Sequence, residues 1–230
     1  MSNSNAATLS QSKTNTRTLT TSAMLVGIAY VVMLMSKMIP SFNGFLDFDF
    51  KDVIICMGGF TYGPAAAAIM AIAVSLLEMI TVSHTGLIGL IMNILATCSF
   101  CCTASFVYKK FHTKTGAIVG LGLGVVALTA IMLLWNYLIT PLYMAGFSRS
   151  DIAAMLVPIF LPFNLLKGGM NMAATLMLYK PIITALRKAR LVPEAAQTAL
   201  RSNVNVGWML LGCGVTSTLI LIGMVVMGMM

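Results

Sequence analysis

Three carboxamides and one lysine stand inside apolar runs of this chain: Asn93, Asn136, Asn164 and Lys167. A polar group surrounded by hydrocarbon is costly, so each needs a partner or a task. A carboxamide offers N–H donors and a carbonyl acceptor, whereas an ammonium only donates. As a set they suit a neutral ligand that mixes donors and acceptors. Asn164 and Lys167 lie three apart in Pro162-Phe163-Asn164-Leu165-Leu166-Lys167-Gly168-Gly169, a spacing that puts both on one helix face. Pro158 and Pro162 place the start of regular helix near Pro162, with the pair in its first two turns. Plainer readings exist. A single amide is more often an interhelical hydrogen bond, worth about 1 kcal/mol, and a lysine can snorkel to the interface.

The elements that must position these groups are apolar segments at 21–39, 53–80, 86–108, 116–139, 155–180 and 206–229. Of the 230 residues, 59% are hydrophobic and 9% charged. A soluble domain carries about 25% charged residues, so lipid must be the solvent for most of the exterior. The fold class is therefore all-α, a polytopic transmembrane helix bundle. The net charge of +8 does not point to nucleic acid, because the basic residues lie between apolar runs and form no patch with aromatics. The first apolar stretch ends in Ser36-Lys37-Met38-Ile39-Pro40 without a small-residue cleavage pattern, so it reads as a retained span.

Segment 53–80 is too long for one straight span, and Gly63-Pro64 interrupts it. It is either one kinked helix or two short helices joined by a tight turn. Lys109, Lys110 and Lys114 lie between two spans, and Lys180, Arg187, Lys188, Arg190 and Arg201 precede the last. Both groups belong in the cytoplasm. Two helices also put Lys13 and Arg17 there, and leave the loop with Asp47, Asp49 and Asp52 outside. A single helix would put the N-terminal tail outside. The two-helix arrangement, with seven spans in all, is preferred. It sets Asn93, Asn136, Asn164 and Lys167 in the outer half, on three helices. Asn93 lies seven residues after Gly86, about 10 Å down its helix at 1.5 Å per residue.

Other groups carry less. Residues 40–50, Pro-Ser-Phe-Asn-Gly-Phe-Leu-Asp-Phe-Asp-Phe, alternate aromatic and polar side chains; such a loop suits covering a flat ring, or equally an interfacial aromatic belt. Glu78 is the only acid of the core spans and needs no more than a place at the outer interface. His84 and His112 fall in loops. Cys98, Cys101 and Cys102 share an apolar run with no His, Asp or Glu nearby, so with Cys56 and Cys213 they read as small apolar side chains in preference to a metal site. No G-x-x-x-x-G-K-[ST] loop is present, which excludes ATP hydrolysis by that route. No Ser/His, paired-Asp or H-E-x-x-H arrangement suggests a protease, and no run of acids suggests a proton relay.

Phe45-Leu46-Asp47-Phe48-Asp49-Phe50-Lys51-Asp52-Val53 followed by Gly63-Pro64 resembles the first-loop and second-helix pattern of riboflavin-specific S components of energy-coupling factor (ECF) transporters. Asn93, Trp135-Asn136-Tyr137 with Pro141-Leu142-Tyr143, and Asn164-Leu165-Leu166-Lys167-Gly168 match later parts of that pattern in order, over roughly residues 20–188. The resemblance implies a six-helix fold that captures riboflavin from outside. It implies work with a separate transmembrane coupling subunit and two cytoplasmic ATPase subunits, and no enzyme activity of the chain itself. Riboflavin is then a transported ligand, and no cofactor or metal is expected. Flavin contacts carry over to Asn136, Asn164 and Lys167, with weaker support for Asn93, Leu46 and Phe48. The coupling surface carries over to Ala23 and Gly27 in Ala23-Met24-Leu25-Val26-Gly27, a small-x-x-x-small step whose plainer use is packing within the chain.

On this basis residues 1–20 are a disordered cytoplasmic tail and 21–188 a six-helix substrate-binding membrane domain. Residues 189–205 form a cytoplasmic linker and 206–230 an extra transmembrane helix, which departs from the family's six. The expected location is the plasma membrane. Two rivals remain: an S component for another vitamin, such as thiamine or pantothenate, and a small membrane enzyme acting on lipid. Colourless protein after expression with riboflavin would favour the first. Activity of the chain alone would favour the second.

Overall fold

The computed structural model describes residues 2–38, 47–83, 85–143 and 148–189, and among them every regular element is helical. Leu46, most of the first loop, most of the linker and the expected helix at 206–230 lie outside the described residues. Helix α1 runs Ser2–Ser36, so the segment expected as a disordered tail continues the first helix. Once an apolar span has nucleated a helix, each added residue costs little. Its membrane-length portion is Thr16–Ser36.

Segment 53–80 is two helices, α2 (Lys51–Tyr62) and α3 (Pro64–Thr81), broken at Gly63. Gly63 has φ +95°, which glycine adopts without a Cβ penalty. Pro64 opens α3, where its missing N–H costs nothing. The two helices run antiparallel: Gly58 lies against Met70, Gly59 against Ala67, and Lys51 against Glu78. Helix α2 is the short central one, buried from Lys51 to Phe60 and packed against α1, α3, α4 (Gly86–Phe111) and the last helix of the bundle.

Helix α4 ends at His112, which adopts the left-handed conformation. Thr113 then caps α5 (Lys114–Leu138), its hydroxyl accepting the Gly116 N–H at 2.9 Å. The α4–α5 pair is close because glycines face backbone. A Cβ on Gly120 would stand 2.7 Å from the Ala104 carbonyl oxygen, and one on Gly124 would stand 2.8 Å from that of Phe100. Without a hydrophobic drive between helices in lipid, such close approach supplies the packing attraction. Gly124→Leu is therefore expected to destabilise the bundle by about 1–3 kcal/mol, the usual cost of overpacking. Thermal unfolding in detergent checks this, against Gly122→Leu, where a Cβ meets nothing within 4 Å.

After a single turn, α6 (Thr140–Tyr143), the chain re-enters as α7 (Arg149–Met155), capped reciprocally by Ser148 and Asp151. A π-helical turn, Leu156–Phe160, leads into α8 (Leu161–Lys188). Regular α-helix thus begins at Leu161, beside Pro162 as expected, with Asn164 and Lys167 in its first two turns, but it follows directly from α7 through the π turn. The two prolines are carried through because the wider turn re-pairs the backbone, with the Leu161 N–H donating to the Leu156 carbonyl.

The result is a six-helix bundle of α1 to α5 and the continuous α7–α8 rod, five members of which are long and apolar enough to cross a membrane. At one end Gly63 faces the Lys109 side chain, and the Tyr108 and Tyr179 hydroxyls are hydrogen-bonded to each other. Lys109, Lys110, Lys114, Lys180 and Lys188 all belong to that basic end.

A polar cavity at the end opposite the basic cluster

Alternation of the helices brings the C-terminal ends of α1, α3 and α5 together with the N-terminal parts of α2, α4 and α8. Between them lies a cavity of about 580 Å³. Asn93 from α4, Asn136 from α5, and Asn164 and Lys167 from α8 all line it. The two-helix form of segment 53–80 is what makes this possible, since a single helix would invert everything after it.

The amides are held before any ligand is considered. Asn136 is 6% exposed; its Nδ2 donates to the Met132 carbonyl at 2.8 Å, and the Thr140 hydroxyl donates to its Oδ1 at 2.9 Å. Asn164 is 3% exposed and its Nδ2 donates to the Phe160 carbonyl at 2.7 Å. Each amide keeps a second N–H and a free acceptor direction. Apolar walls come from Met92, Ala96, Leu128, Met132 and Phe163. Phe48 does not line the cavity itself; its ring packs on Phe163, 5.3 Å between centroids. Leu46 lies outside the described residues.

The acids differ most from expectation. Asp49, Asp52 and Glu78 were placed in an outer loop or at the interface, yet all are buried, and so is Lys51, at 1% exposure. The Lys51 ammonium donates to Asp49 and, at 2.7 Å, to Glu78. Lys37 at the rim joins Asp47 at 2.9 Å and Glu78 at 3.3 Å. Thr97 donates to Asp52 at 2.7 Å. Asn171 donates from Nδ2 to the Asp49 carbonyl at 3.0 Å, and its Oδ1 is buried without a hydrogen-bond partner among the described residues. Buried charges are tolerated only when paired, and here they pair across four helices. A sequence signal existed for Asn171, which continues the Asn164–Lys167 face one further turn along. None existed for Lys51.

On the outside of the bundle, Ala23 and Gly27 of α1 are exposed, and a Cβ on Gly27 would meet nothing within 4 Å. Packing of that step within the described chain is excluded.

Comparisons with known proteins agree with this architecture. Residues 17–179 match the family described as ECF transporter, substrate-specific component. The chain is 32% identical over 175 residues to the riboflavin transporter RibU of Staphylococcus aureus (strain TCH60), covering 74% of this chain and 92% of that one. It is 35% identical over 154 residues to the riboflavin transporter FmnP of Bacillus subtilis (strain 168), covering 64% and 81%. A solved S component of a bacterial ECF transporter superposes with a TM-score of 0.62 at 31% identity, covering 75% of this chain and 98% of the other. The ordered polar motifs, the six-helix bundle and the matched span together make this multi-pass membrane protein a member of the family of substrate-specific components of ECF transporters.

Proposed function

We propose that this chain captures riboflavin for uptake, and that the cavity lined by Asn93, Asn136, Asn164 and Lys167 is where it binds. The observation that carries the proposal is the meeting of these four groups in one cavity of about 580 Å³, within the usual range for a ligand of this size. The relatives named as riboflavin transporters support the substrate. The pyrimidine edge of an isoalloxazine alternates carbonyl acceptors with an N–H donor. Asn136 and Asn164 can match both kinds, and Lys167 suits a carbonyl or ring nitrogen. Asn93 adds a further amide. Phe48, through Phe163, would support the apolar side around the ring. Riboflavin is cargo here, and no cofactor is required.

The basic end opposite the cavity supports an orientation with the cavity outside, the N-terminus in the cytoplasm and the plasma membrane as location. The family's description as one component of a transporter supports partners: a transmembrane coupling subunit and two cytoplasmic ATPases. The exposed Ala23–Gly27 step is the surface that would meet the coupling subunit, because small residues four apart let another helix approach closely.

Titration of the purified apo-protein with riboflavin tests the substrate. Flavin fluorescence is expected to be quenched stoichiometrically. Absence of quenching at micromolar concentrations would reject riboflavin and favour another vitamin.

A further inference from the structure

Lys51 does not line the cavity, yet it is the largest fully buried side chain among the described residues, at 1% exposure. A lysine inside a membrane protein is expensive, and an apolar side chain of similar volume is often the more stable occupant. What Lys51 holds is specific. Asp49 accepts from it twice, from the backbone N–H at 3.0 Å and from the ammonium. Glu78 of α3 takes a third bond at 2.7 Å. Asp49 itself lines the cavity, as does Lys167, and the Lys167 ammonium lies within electrostatic reach of the Asp49 and Asp52 carboxylates. Asn171, one turn beyond Lys167 on the same face of α8, is bonded to the Asp49 carbonyl at 3.0 Å.

Two ammonium groups therefore compete for one carboxylate. We infer that Lys51 is a positioning residue of the ligand cavity: by occupying Asp49 from behind, it keeps Lys167 free to donate into the cavity. The inference rests on the riboflavin reading for its affinity effects, though the competition itself does not depend on the ligand. Without Lys51, the cavity cations left to Asp49 are Lys37, already paired with Asp47 and Glu78, and Lys167. An ion pair between Asp49 and Lys167 would withdraw Lys167 from any ligand.

The test combines Lys51→Met, Lys51→Met/Asp49→Asn, Lys167→Met and Lys51→Met/Lys167→Met in the full chain. Unchanged melting temperatures show that each variant is folded. Lys51→Met is expected to weaken riboflavin binding about tenfold or more. Adding Asp49→Asn is expected to recover most of that loss. Adding Lys167→Met is expected to cost little further, since Lys167 is already withdrawn, so the two losses do not add. A general distortion of the cavity would give additive losses and no rescue by Asp49→Asn, and either result overturns the inference.

A second readout needs no ligand. Acetylation of Lys167, followed by mass spectrometry, is expected to slow several-fold in Lys51→Met and to recover with Asp49→Asn. Unaltered labelling overturns the inference even if wild-type protein fails to bind riboflavin, whereas that failure alone, with labelling as expected, rejects only the substrate.

Discussion

Gly27→Leu is expected to abolish ATP-driven riboflavin uptake by the assembled transporter while leaving riboflavin binding by the isolated chain near normal. The substitution should not disturb the chain's own fold. A Cβ at Gly27 meets nothing within 4 Å, and leucine is a better helix former than glycine, which is about 0.8–1 kcal/mol worse than alanine. The cavity is remote, since Lys37, the lining residue that directly follows α1, is ten residues further along, about 15 Å at 1.5 Å per residue. The one thing the leucine changes is the groove between Ala23 and Gly27, bordered by the exposed side chains of Met24, Ile28 and Val31. A helix seated in that groove would be pushed out by a side chain of four carbons, and close helix contact in lipid has no hydrophobic drive to replace it. Gly27→Ala, which keeps the position small, is expected to retain most uptake. Radiolabelled riboflavin uptake into proteoliposomes, set beside binding to the isolated chain, checks the prediction. Normal uptake by the leucine variant, or equal loss of binding and uptake, would exclude this face as the coupling surface.

The second large effect is expected from Lys167→Ala, a 5- to 150-fold loss of riboflavin affinity. Deleting the ammonium leaves a flavin acceptor buried and unpaired, at a cost of roughly 1–3 kcal/mol. The same change removes a cation from beside Asp49 and Asp52, so the cavity becomes more negative. Riboflavin is neutral, and the added field bears mainly on its electron-rich carbonyls, in the same direction as the lost hydrogen bond. Lys167→Met separates stem from charge, since it keeps most of the apolar length. It is expected to lose nearly as much affinity as alanine. Fluorescence titration of variants with unaltered melting checks this. Full affinity in either would mean that Lys167 serves only to neutralise the neighbouring acids.

How far the chain could be read without its fold depended on the range of the interaction. Its membrane character is a property of composition, legible because 9% charged residues cannot clothe a soluble surface. The break at Gly63-Pro64 is local backbone chemistry, a φ of +95° that glycine permits followed by a residue suited to a helix start. Asn164 and Lys167 share a face because helical geometry is periodic, and the same period could have revealed Asn171. The start of the last regular helix is local too: two prolines predict a boundary near Pro162, and α8 begins at Leu161, directly after the π turn at Leu156–Phe160.

The buried ionic system was decided only by tertiary structure. Lys51 is 27 residues from Glu78, and Asp52 is 45 from Thr97 and 119 from Asn171. In sequence, charges beside an apolar segment look like an interfacial flank, because the interface is where an unpaired charge is cheapest. Whether a charge can be buried depends on a counter-charge or hydrogen-bond donor arriving from another helix, and no local pattern encodes that arrival. The central position of α2, closed in by α1, α3, α4 and α8, supplies those partners, and so converts what reads as a polar loop edge into a buried ionic network beside the cavity.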